Sequence, residues 1–365
     1  MRQNPLLLLF LAAILASGLA CPVQAQALAG EEVWRSGTGD RVLAVALSED
    51  GLSGAAITGE RVYLFDENGT TLWSYPVSCG RSVAISPDGE HIAAGGDQLL
   101  LFDQNGEVLR RYTPASRILG VAVAADGRTV YAGTGAGLLV FFSDSEQTAA
   151  SATWSSGTED PILSVSIDAK GSGVVAAGES GNIYFFSGDG RLLWNYRTGS
   201  SGVRAIISHD GSTVAAASSQ RAVFLLNRHG RLLWKSPADG RVTDVSLSGD
   251  GSTLVLADGG ISVLNRDGEA VWRGVAGEEI RCVSASPGTT RIIAGALDGT
   301  VSVFRLQPAA GPADAPSPEA AFTAGPLPSP GETTSPEQGA ALAPAVPVAI
   351  GAWLAALGWR RRRGR

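Results

Sequence analysis

Residues 45–73 read VALSEDGLSGAAITGERVYLFDENGTTLW, and this stretch decides the fold. Its first apolar run leads into Asp50-Gly51, a strong hairpin signal that predicts a type I′ turn, because that turn needs positive φ. A run of small residues follows, and a third, apolar run ends at Phe65-Asp66. Asn68-Gly69 then leads into an outer run marked by Trp73. The stretch therefore predicts four short antiparallel strands.

The same pattern occurs seven times along the chain. Its turn glycines lie 38, 38, 44, 40, 40 and 37 residues apart, and they are Gly51, Gly89, Gly127, Gly171, Gly211, Gly251 and Gly288. A period near 40 residues with four short strands per unit is typical of a β-propeller blade. The sequence thus predicts an all-β fold made of a single seven-bladed β-propeller over residues 31–306.

The seventh repeat stops after its third strand, at Phe304. The missing outer strand is found near the start of the chain, where residues 32–39 (EVWRSGTG) look like residues 193–199 (LWNYRTG) of the fourth repeat. We expect this N-terminal strand to pair with the last blade and close the ring. Closure removes an exposed sheet edge that would otherwise favour aggregation.

Tryptophan marks the outer strand of most repeats, at Trp73, Trp194, Trp234 and Trp272. The third repeat has Trp154 after a longer insert, and the second has Arg110 at this position. An aromatic series could form a carbohydrate-binding platform. Because the positions are equivalent from repeat to repeat, packing between neighbouring blades is the preferred interpretation.

These motifs resemble two propeller families. The Val-x-x-Ser-x-Asp-Gly half is similar to WD40 and YVTN-type repeats, and the Phe-Asp-x-Asn-Gly-x-x-Leu-Trp half is similar to quinoprotein (PQQ)-like repeats. The second resemblance implies that each Trp docks one blade onto the next. The chain lacks the Gly-His and Trp-Asp dipeptides of strict WD40 repeats and the adjacent cysteine pair of quinoprotein alcohol dehydrogenases. Such folds serve as scaffolds, sensors and enzymes, so the resemblance specifies the fold more than the function.

Residues 1–27 have the pattern of a signal peptide. A basic start at Arg2 precedes the apolar run 6–16, and Ala25-Gln26-Ala27 supplies small residues at a cleavage site. The run is short for a membrane span. Cys21 leaves lipidation as an alternative, although Gly18 stands where a lipobox usually has leucine.

The other end predicts a tether. Residues 307–341 are rich in Pro, Ala, Gly, Ser and Thr and predict a disordered linker. Residues 342–359 carry no charge and predict a transmembrane or sorting-signal helix, and the arginine-rich tail 360–365 predicts a cytoplasmic end. The segment resembles C-terminal sorting signals of archaeal and bacterial envelope proteins, in which a membrane enzyme can replace the helix by a lipid. A retained anchor and a removed sorting signal both stay open.

Charge and cysteine content narrow the classes of partner. Residues 28–306 carry 22 basic and 31 acidic side chains, which argues against a nucleic-acid partner because phosphate binding needs a basic surface. Cys79 and Cys282 occur in different repeats and are expected to be separate buried thiols.

No residue pattern indicates catalysis, and the sequence predicts no catalytic, cofactor-binding or metal site. The recurring aspartates could form a carboxylate ring, but each precedes a turn glycine and is expected to cap its own hairpin. His209 and His229 flank one blade's hairpin without further metal ligands. Asn68-Gly69-Thr70 is a glycosylation sequon, so Asn68 is a possible modification site.

The sequence therefore predicts a non-enzymatic, monomeric module that is held at the cell surface by its C-terminus. Its propeller loops would bind an unknown protein, glycan or envelope component, and its membrane contact would be through residues 342–359. Two alternatives remain at this stage. One is a quinoprotein-like redox enzyme or sensor of the cell surface, and the other is an abundant structural component of the envelope.

Overall fold

A computed structural model describes residues 28–142, 152–158, 160–274 and 279–309. In chain order the strands are β1 (Leu28–Gly37), β2 (Ala44–Leu47), β3 (Gly54–Ile57), β4 (Arg61–Phe65), β5 (Thr71–Pro76), β6 (Ser82–Ile85), β7 (His91–Gly95), β8 (Leu99–Asp103), β9 (Val108–Tyr112), β10 (Ile118–Val123), β11 (Val130–Thr134), β12 (Leu138–Phe142), β13 (Ala152–Gly157), β14 (Ile162–Ile167), β15 (Gly173–Gly178), β16 (Asn182–Ser187), β17 (Leu192–Arg197), β18 (Val203–Ile207), β19 (Thr213–Ser218), β20 (Ala222–Asn227), β21 (Leu232–Pro237), β22 (Asp244–Leu247), β23 (Thr253–Ala257), β24 (Ile261–Asn265), β25 (Ala270–Gly274), β26 (Ile280–Ala285), β27 (Arg291–Ala296) and β28 (Thr300–Pro308).

The strands form seven four-stranded antiparallel sheets, one for each repeat of the sequence. Blades 1 to 6 are the successive groups β2–β5, β6–β9, β10–β13, β14–β17, β18–β21 and β22–β25, and blade 7 is β26–β28 with β1. The first strands of neighbouring blades contact one another around the whole circle, including β2 against β26. The arrangement confirms the all-β propeller fold.

Blade 7 is closed by the N-terminal strand, as the sequence predicts. β1 pairs antiparallel with β28 from Leu28↔Pro308 to Gly37↔Thr300, with a bulge between Glu32 and Trp34. The strands extend a few residues beyond the predicted limits of 31 and 306. Pairing the two ends of the described chain in one sheet leaves neither as a free edge.

The core lies between the blades rather than inside any one of them. The seven clusters of buried apolar side chains each join two neighbouring blades of the described chain. One example joins blades 4 and 5 and contains Phe185 and Phe224, each 1% exposed. Strands rich in alanine and valine suit this packing, because small and branched side chains let neighbouring sheets pack closely face to face.

The turn after the first strand of each blade differs from the prediction. In blade 1 the amide of Gly51 donates to the carbonyl of Ser48 at 3.0 Å, and the amide of Ser48 donates to the carbonyl of Ser53 at 2.9 Å. Gly51 has φ of 72°, whereas Asp50 is not among the residues with positive φ. A two-residue type I′ turn, which needs two such residues, is therefore wrong. The loop is longer, and only its glycine is left-handed.

Two blades depart from this turn chemistry. In blade 7 Thr289, with φ of 52°, takes the left-handed position that the sequence pattern assigned to Gly288. In blade 4 Asp168 stands at the serine position and accepts hydrogen bonds from the amide and hydroxyl of Ser172, each at 2.7 Å. The buried Asp168 also pairs with Arg228 of blade 5 at 3.4 Å. Blades 4 and 7 thus keep the turn, blade 4 with Asp168 in place of serine and blade 7 with a left-handed Thr289 in place of glycine.

Residues 1–27 lie outside the described residues, as do most of the predicted linker 307–341 and all of segments 342–359 and 360–365. In the part of the chain that the structure describes, no helix has the length and apolar character needed to cross a membrane.

Candidate functional site at the channel mouth

A narrow channel runs along the axis of the propeller. Its middle is a cavity of about 240 Å³ that is lined by the first strand of every blade, namely β2, β6, β10, β14, β18, β22 and β26. Small and branched residues supply most of the lining, because seven strands converge there. The channel therefore has little room, and the groups at its two ends decide what can approach it.

The channel-facing side of each first strand has no neighbouring strand in its own sheet, so its backbone amides need other partners. Several of these amides donate hydrogen bonds to side chains of the preceding blade. The amides of Val121, Ala205 and Ile207 donate to the hydroxyls of Ser82, Ser164 and Ser166 at 3.1, 2.9 and 3.2 Å. The channel serines are thus engaged in holding the blades together.

Asp244 has the one carboxylate among the described residues that line the middle of the channel. Its Oδ2 accepts a hydrogen bond from the amide of Val283 in the next blade at 3.1 Å. Burial in the narrow channel raises the pKa of Asp244, and the positive charge of Arg204 partly offsets this rise. The positive charge of Arg204 is therefore close enough to interact with the carboxylate of Asp244.

One end of the channel widens into a cavity of about 250 Å³ that we call the arginine mouth. Its lining residues are Arg41, Val42, Leu43, Arg81, Leu119, Leu163, Arg204, Thr243 and Arg281. They lie just before or at the start of the first strands, on the face where each outer strand connects to the next blade. Four arginines from four different blades thus meet at one opening of a chain whose formal net charge is −7.

β-Bulges bring several of these residues to the mouth. The register of β10 shifts between Ile118 and Gly120, and that of β26 shifts between Ile280 and Cys282. A third shift lies around Leu163 in β14. A bulge leaves its extra residue unpaired and redirects the side chain. Leu119, Leu163 and Arg281 occupy these bulge positions and line the cavity.

The arginines of the mouth differ in how their charge is balanced. Arg281 lies 3.6 Å from Glu279, a contact at the long end for an ion pair. Arg204 is close enough to Asp244 to affect its pKa. Arg41 and Arg81 make no ion pair with any residue that the structure describes. The positive charge of the mouth is therefore concentrated in blades 1 and 2.

The opposite end of the channel has a different character. It is a cavity of about 100 Å³ lined mainly by apolar residues such as Ile85, Pro87 and Pro287. Backbone hydrogen bonds join its turns from blade to blade, including Glu49 N to Pro87 O at 3.0 Å and Gly249 N to Pro287 O at 2.7 Å. Bonds of this kind join the turns of blades 1 and 2 and of the successive blades 4 to 7, so the two ends of the channel are chemically unlike.

The recurring aspartates cap their hairpins, as predicted. Asp50 Oδ1 accepts from the hydroxyl of Ser48 at 2.6 Å and from the amide of Leu52 at 2.9 Å. The same pair of bonds recurs at Asp88, Asp210 and Asp250. Asp126 instead accepts from the amides of Arg128 and Thr129. These carboxylates are occupied by their own turns.

The tryptophans dock neighbouring blades, also as predicted. The ring of Trp194 in blade 4 covers Gly230 of blade 5 so closely that a Cβ there would lie 2.8 Å from it. Its Nε1 donates to the carbonyl of Arg228 at 2.8 Å. Trp73 and Trp234 make the equivalent contacts with Gly106 and Gly268. Trp34 of β1 covers Gly69 of blade 1, so the docking series crosses the point of closure.

Blade 2 has Arg110 at the position where other blades have a docking tryptophan. Trp34, Trp73, Trp194 and Trp234 each lie against a turn glycine of the next blade, whereas Trp272 lies against Gly30 of β1. The connection in blade 3, residues 143–151, contains no glycine.

The histidines do not form a shared site. His209 lines the apolar end of the channel, and His229 is exposed in the β20–β21 turn. Asp88, Glu90 and His91 have potential ligand atoms within 4.8 Å of one another, but Asp88 Oδ1 already caps its own turn. The Nδ1 of His91 lies where a Cβ on Gly127 would be, so the ring packs on the next blade.

The cysteines are separate thiols, but only one is buried. Burial raises the pKa of Cys282 well above its ordinary value. Cys79 is exposed and has φ of 53°, because it lies in the connection after β5 rather than in a strand. The expectation that both thiols are buried is therefore wrong for Cys79. Asn68 is exposed in the β4–β5 turn, and its glycosylation stays a prediction.

Sequence reasoning missed the arginine mouth. Arg81 lies eight residues before the turn glycine of its repeat, whereas Arg41 lies ten and Arg204 seven residues before theirs. Arg281 lies eight residues before Thr289, the left-handed residue of blade 7, so it shares the repeat position of Arg81. Other blades have Leu43, Leu119, Leu163 and Thr243 at this position, so it lines much of the mouth, but no single residue type marks it in the sequence.

Comparison with known proteins identifies the kind of propeller. The model of the family described as outer membrane protein assembly factor BamB, which has PQQ-like repeats, matches residues 58–204 and again residues 188–308. A search of curated proteins finds no match. The two family matches overlap and together cover well over half of the chain, across the strands that dock through tryptophan. The chain therefore belongs to this PQQ-like β-propeller family.

Proposed function

We propose that this protein is a non-enzymatic binding or scaffold module of the cell envelope and that it binds its partner at the arginine mouth. The observation that carries the proposal is the convergence of four arginines from four blades on one cavity. Arginine is well suited to this role because its planar guanidinium binds carboxylates and phosphates with two parallel hydrogen bonds.

The blade contacts support a scaffold role. Tryptophan docking, serine-to-amide bonds and bonded turns cross-link neighbouring blades around the ring. Such a ring can hold arginines from distant parts of the sequence in fixed positions. Binding then costs little ordering of the site, and preorganisation of this kind favours affinity.

The ends of the sequence support a location outside the cytoplasm. In the proposal, residues 1–27 direct export, and residues 342–359 with the tail 360–365 hold the protein in a membrane. The linker 307–341 separates the propeller from that membrane. The family description refers to assembly of outer membrane proteins. An envelope protein partner is therefore favoured over a glycan.

A pull-down tests the proposal. The full-length exported protein is captured from envelope extracts and compared with the variant Arg41→Gln/Arg81→Gln. The matched control Arg128→Gln/Lys170→Gln removes two positive charges from exposed turns that follow the first strands of their blades, at the other end of the channel. We expect the wild type and the control to recover the same partner and the mouth variant to recover much less. Equal recovery by both variants would remove the arginine mouth from the proposal, and turnover of a substrate by the purified protein would overturn the non-enzymatic role.

The quinoprotein alternative rests on the PQQ-like repeats. Calcium takes six to eight oxygen ligands, often carboxylates. Asp244 is the one carboxylate among the described residues that line the middle of the channel and the arginine mouth. These residues do not fit a calcium-bound quinone. Absorbance and calcium content of the purified protein provide the check, and a stoichiometric quinone would favour this alternative.

The remaining alternative is an abundant structural component of the envelope. Counting copies per cell separates it from the binding role. A copy number far above that of the recovered partner would favour the structural role.

A further inference from the structure

The arginine mouth has two chemically different halves. Blade 7 and blades 1 and 2, which are neighbours in the ring, contribute Arg281, Arg41 and Arg81, together with Val42 and Leu43 of blade 1. Blades 3 and 4, the next two, contribute Leu119 and Leu163. Both leucines are half-buried at bulges, so their side chains lie at the opening rather than in the core. A cationic arc thus continues directly into an apolar arc.

The remaining blades complete the circle without adding free positive charge. Arg204 of blade 5 faces the carboxylate of Asp244 in blade 6, and Thr243 is neutral. On the cationic arc, Glu279 lies 3.6 Å from Arg281, and Asp40 accepts a hydrogen bond from the backbone amide of Arg41 at 2.7 Å. Neither acid forms an ion pair with the side chain of Arg41 or Arg81 in the described residues. An incoming anion is therefore drawn towards blades 1 and 2.

The size of the cavity limits the ligand. Its volume of about 250 Å³ is slightly below the roughly 300–1,000 Å³ typical of ligand pockets. It can accept a small acid or the end of a chain, but not a folded surface. A leucine wall next to arginines also excludes water from one side of the ion pair, which strengthens the attraction.

From these observations we propose that the arginine mouth binds a carboxylate carried on an apolar body. The carboxylate lies against Arg41 and Arg81, with Arg281 beside them, and the apolar body lies against Leu119 and Leu163. This inference rests on the proposed binding function and specifies its ligand chemistry. The acid can be a free small molecule or the C-terminal residue of a partner polypeptide, and the two sources share the same chemistry.

Titration calorimetry with the full-length protein tests the proposal. The probes are N-acetyl-phenylalanine, its amide and inorganic phosphate. We expect the acid to bind at least about tenfold more tightly than either of the other two, because only the acid engages both arcs. Its affinity should fall with added salt, since screening weakens the contact of the carboxylate with exposed arginines. Equal affinity for the acid and the amide, or for the acid and phosphate, would overturn the proposal.

Variants locate the binding. Arg41→Gln/Arg81→Gln should weaken acid binding about tenfold or more, whereas the control Arg128→Gln/Lys170→Gln should leave it unchanged. Leu119→Ala/Leu163→Ala should also weaken it, since apolar contact area is lost. Unchanged affinity in the arginine variant overturns the site. If the double variant fails to fold, the single variants Arg41→Gln and Arg81→Gln provide the same test, and unchanged affinity in both would overturn the site.

A peptide that ends in phenylalanine with a free carboxylate distinguishes the two sources. Tighter binding of the peptide than of N-acetyl-phenylalanine supports a chain end, and binding of the small acid alone supports a free metabolite. The result also separates this inference from the proposed function. If the arginine variant loses the envelope partner but binds the acid as tightly as the wild type does, the binding role stands and the mouth chemistry is wrong.

Discussion

Glycines at the turns before the outer strands are required for contact between blades as well as for backbone conformation. Gly230 has φ of 76° and lies under the ring of Trp194. Gly199 has a similar φ of 73°, but nothing lies within 4 Å of where its Cβ would be. The two positions therefore separate the cost of a left-handed backbone from the cost of blocking a docking contact.

We predict that Gly230→Ala destabilises the protein more than Gly199→Ala. The left-handed conformation costs about 1–2 kcal/mol for a residue with a Cβ, and this applies at both positions. Overpacking against Trp194 should add about 1–3 kcal/mol at Gly230 alone. Urea denaturation followed by tryptophan fluorescence measures both losses. Equal losses would show that Trp194 gives way without cost.

Asp244 provides a second prediction at the residue scale. Its pKa is raised by burial in the channel, so the folded state is penalised when the carboxyl ionises. Stability contributed by the protonated form is lost as pH rises through the raised pKa. Asn keeps an oxygen for the amide of Val283 but carries no charge. Asp244→Asn should therefore raise Tm at neutral pH, and the gain should shrink towards pH 4.

The exposed Asp298 provides a control, because its pKa is shifted in the opposite direction and the opposite change in Tm is expected. Hydrogen bonds from the side chain and the amide of Thr300 lower its pKa, so its stabilising effect is present at neutral pH and lost in acid. Asp298→Asn should lower Tm slightly, mainly above the ordinary carboxyl pKa. A Tm difference for Asp244→Asn that does not vary with pH would contradict the assignment of its raised pKa to burial.

What could be predicted for single residues depended on how local their contacts are. The aspartate caps were predictable, because Asp50 bonds to groups two residues away. The exposure of Cys79 could not be predicted, because it depends on where β5 ends. The arginine mouth requires the relative placement of four blades, which no single repeat contains.

At the scale of elements, β1 is the strand on which closure depends. It comes from the other end of the described chain and covers the outer edge of β28. Trp34 on this strand also packs on Gly69 of blade 1 and lies 5.7 Å from the ring of Phe65. β1 also packs against Trp272 of blade 6 through Gly30, so its loss would expose a sheet edge and remove contacts with two neighbouring blades.

We predict that a protein lacking residues 28–37 self-associates through the free edge of β28. Size-exclusion chromatography should show oligomers or aggregates. A synthetic peptide of residues 28–37 added during refolding should restore the size of the full-length protein, whereas a scrambled peptide should not. A truncated protein that stays monomeric and equally stable would contradict the role of β1 in closure.

The strands were predicted from the sequence more accurately than the turns between them. Alternating apolar runs placed the strands, and the tryptophan series correctly indicated contact between blades. The type I′ turn was wrong because the Asp-Gly pair sits inside a longer loop held by Ser48. Thr289 was missed as the left-handed residue of blade 7, because glycine is the residue that usually marks this position.

At the scale of the whole molecule, the channel has one apolar end and one cationic end. Surface arginines without ion-pair partners contribute little to folding, so we predict that Arg41→Gln/Arg81→Gln changes stability by no more than about 0.5 kcal/mol. Chemical denaturation of wild type and variant checks this. A large loss would mean that these arginines support the fold rather than a ligand.

The repeat period was enough to predict the ring, because each blade buries its faces only against its neighbours. Its closure was predicted from the incomplete seventh repeat and from the likeness of residues 32–39 to an outer strand. The same period could not show that the two ends of the channel differ. That difference depends on which residue each blade has at the mouth, such as Leu119, Leu163 or Arg281, and on the turns that bond to one another at the other end.

The most direct measurement is a crystal structure of the protein soaked with 4-bromobenzoate, with anomalous data collected at the bromine edge. This probe joins a carboxylate to an apolar ring and marks the ring with a heavy atom. We predict one bromine peak in the arginine mouth, beside Leu119 and Leu163, with the carboxylate directed at Arg41 and Arg81. A bromine peak at another surface, or an unoccupied mouth at saturating probe, would contradict the claim that this mouth is the binding site of the propeller.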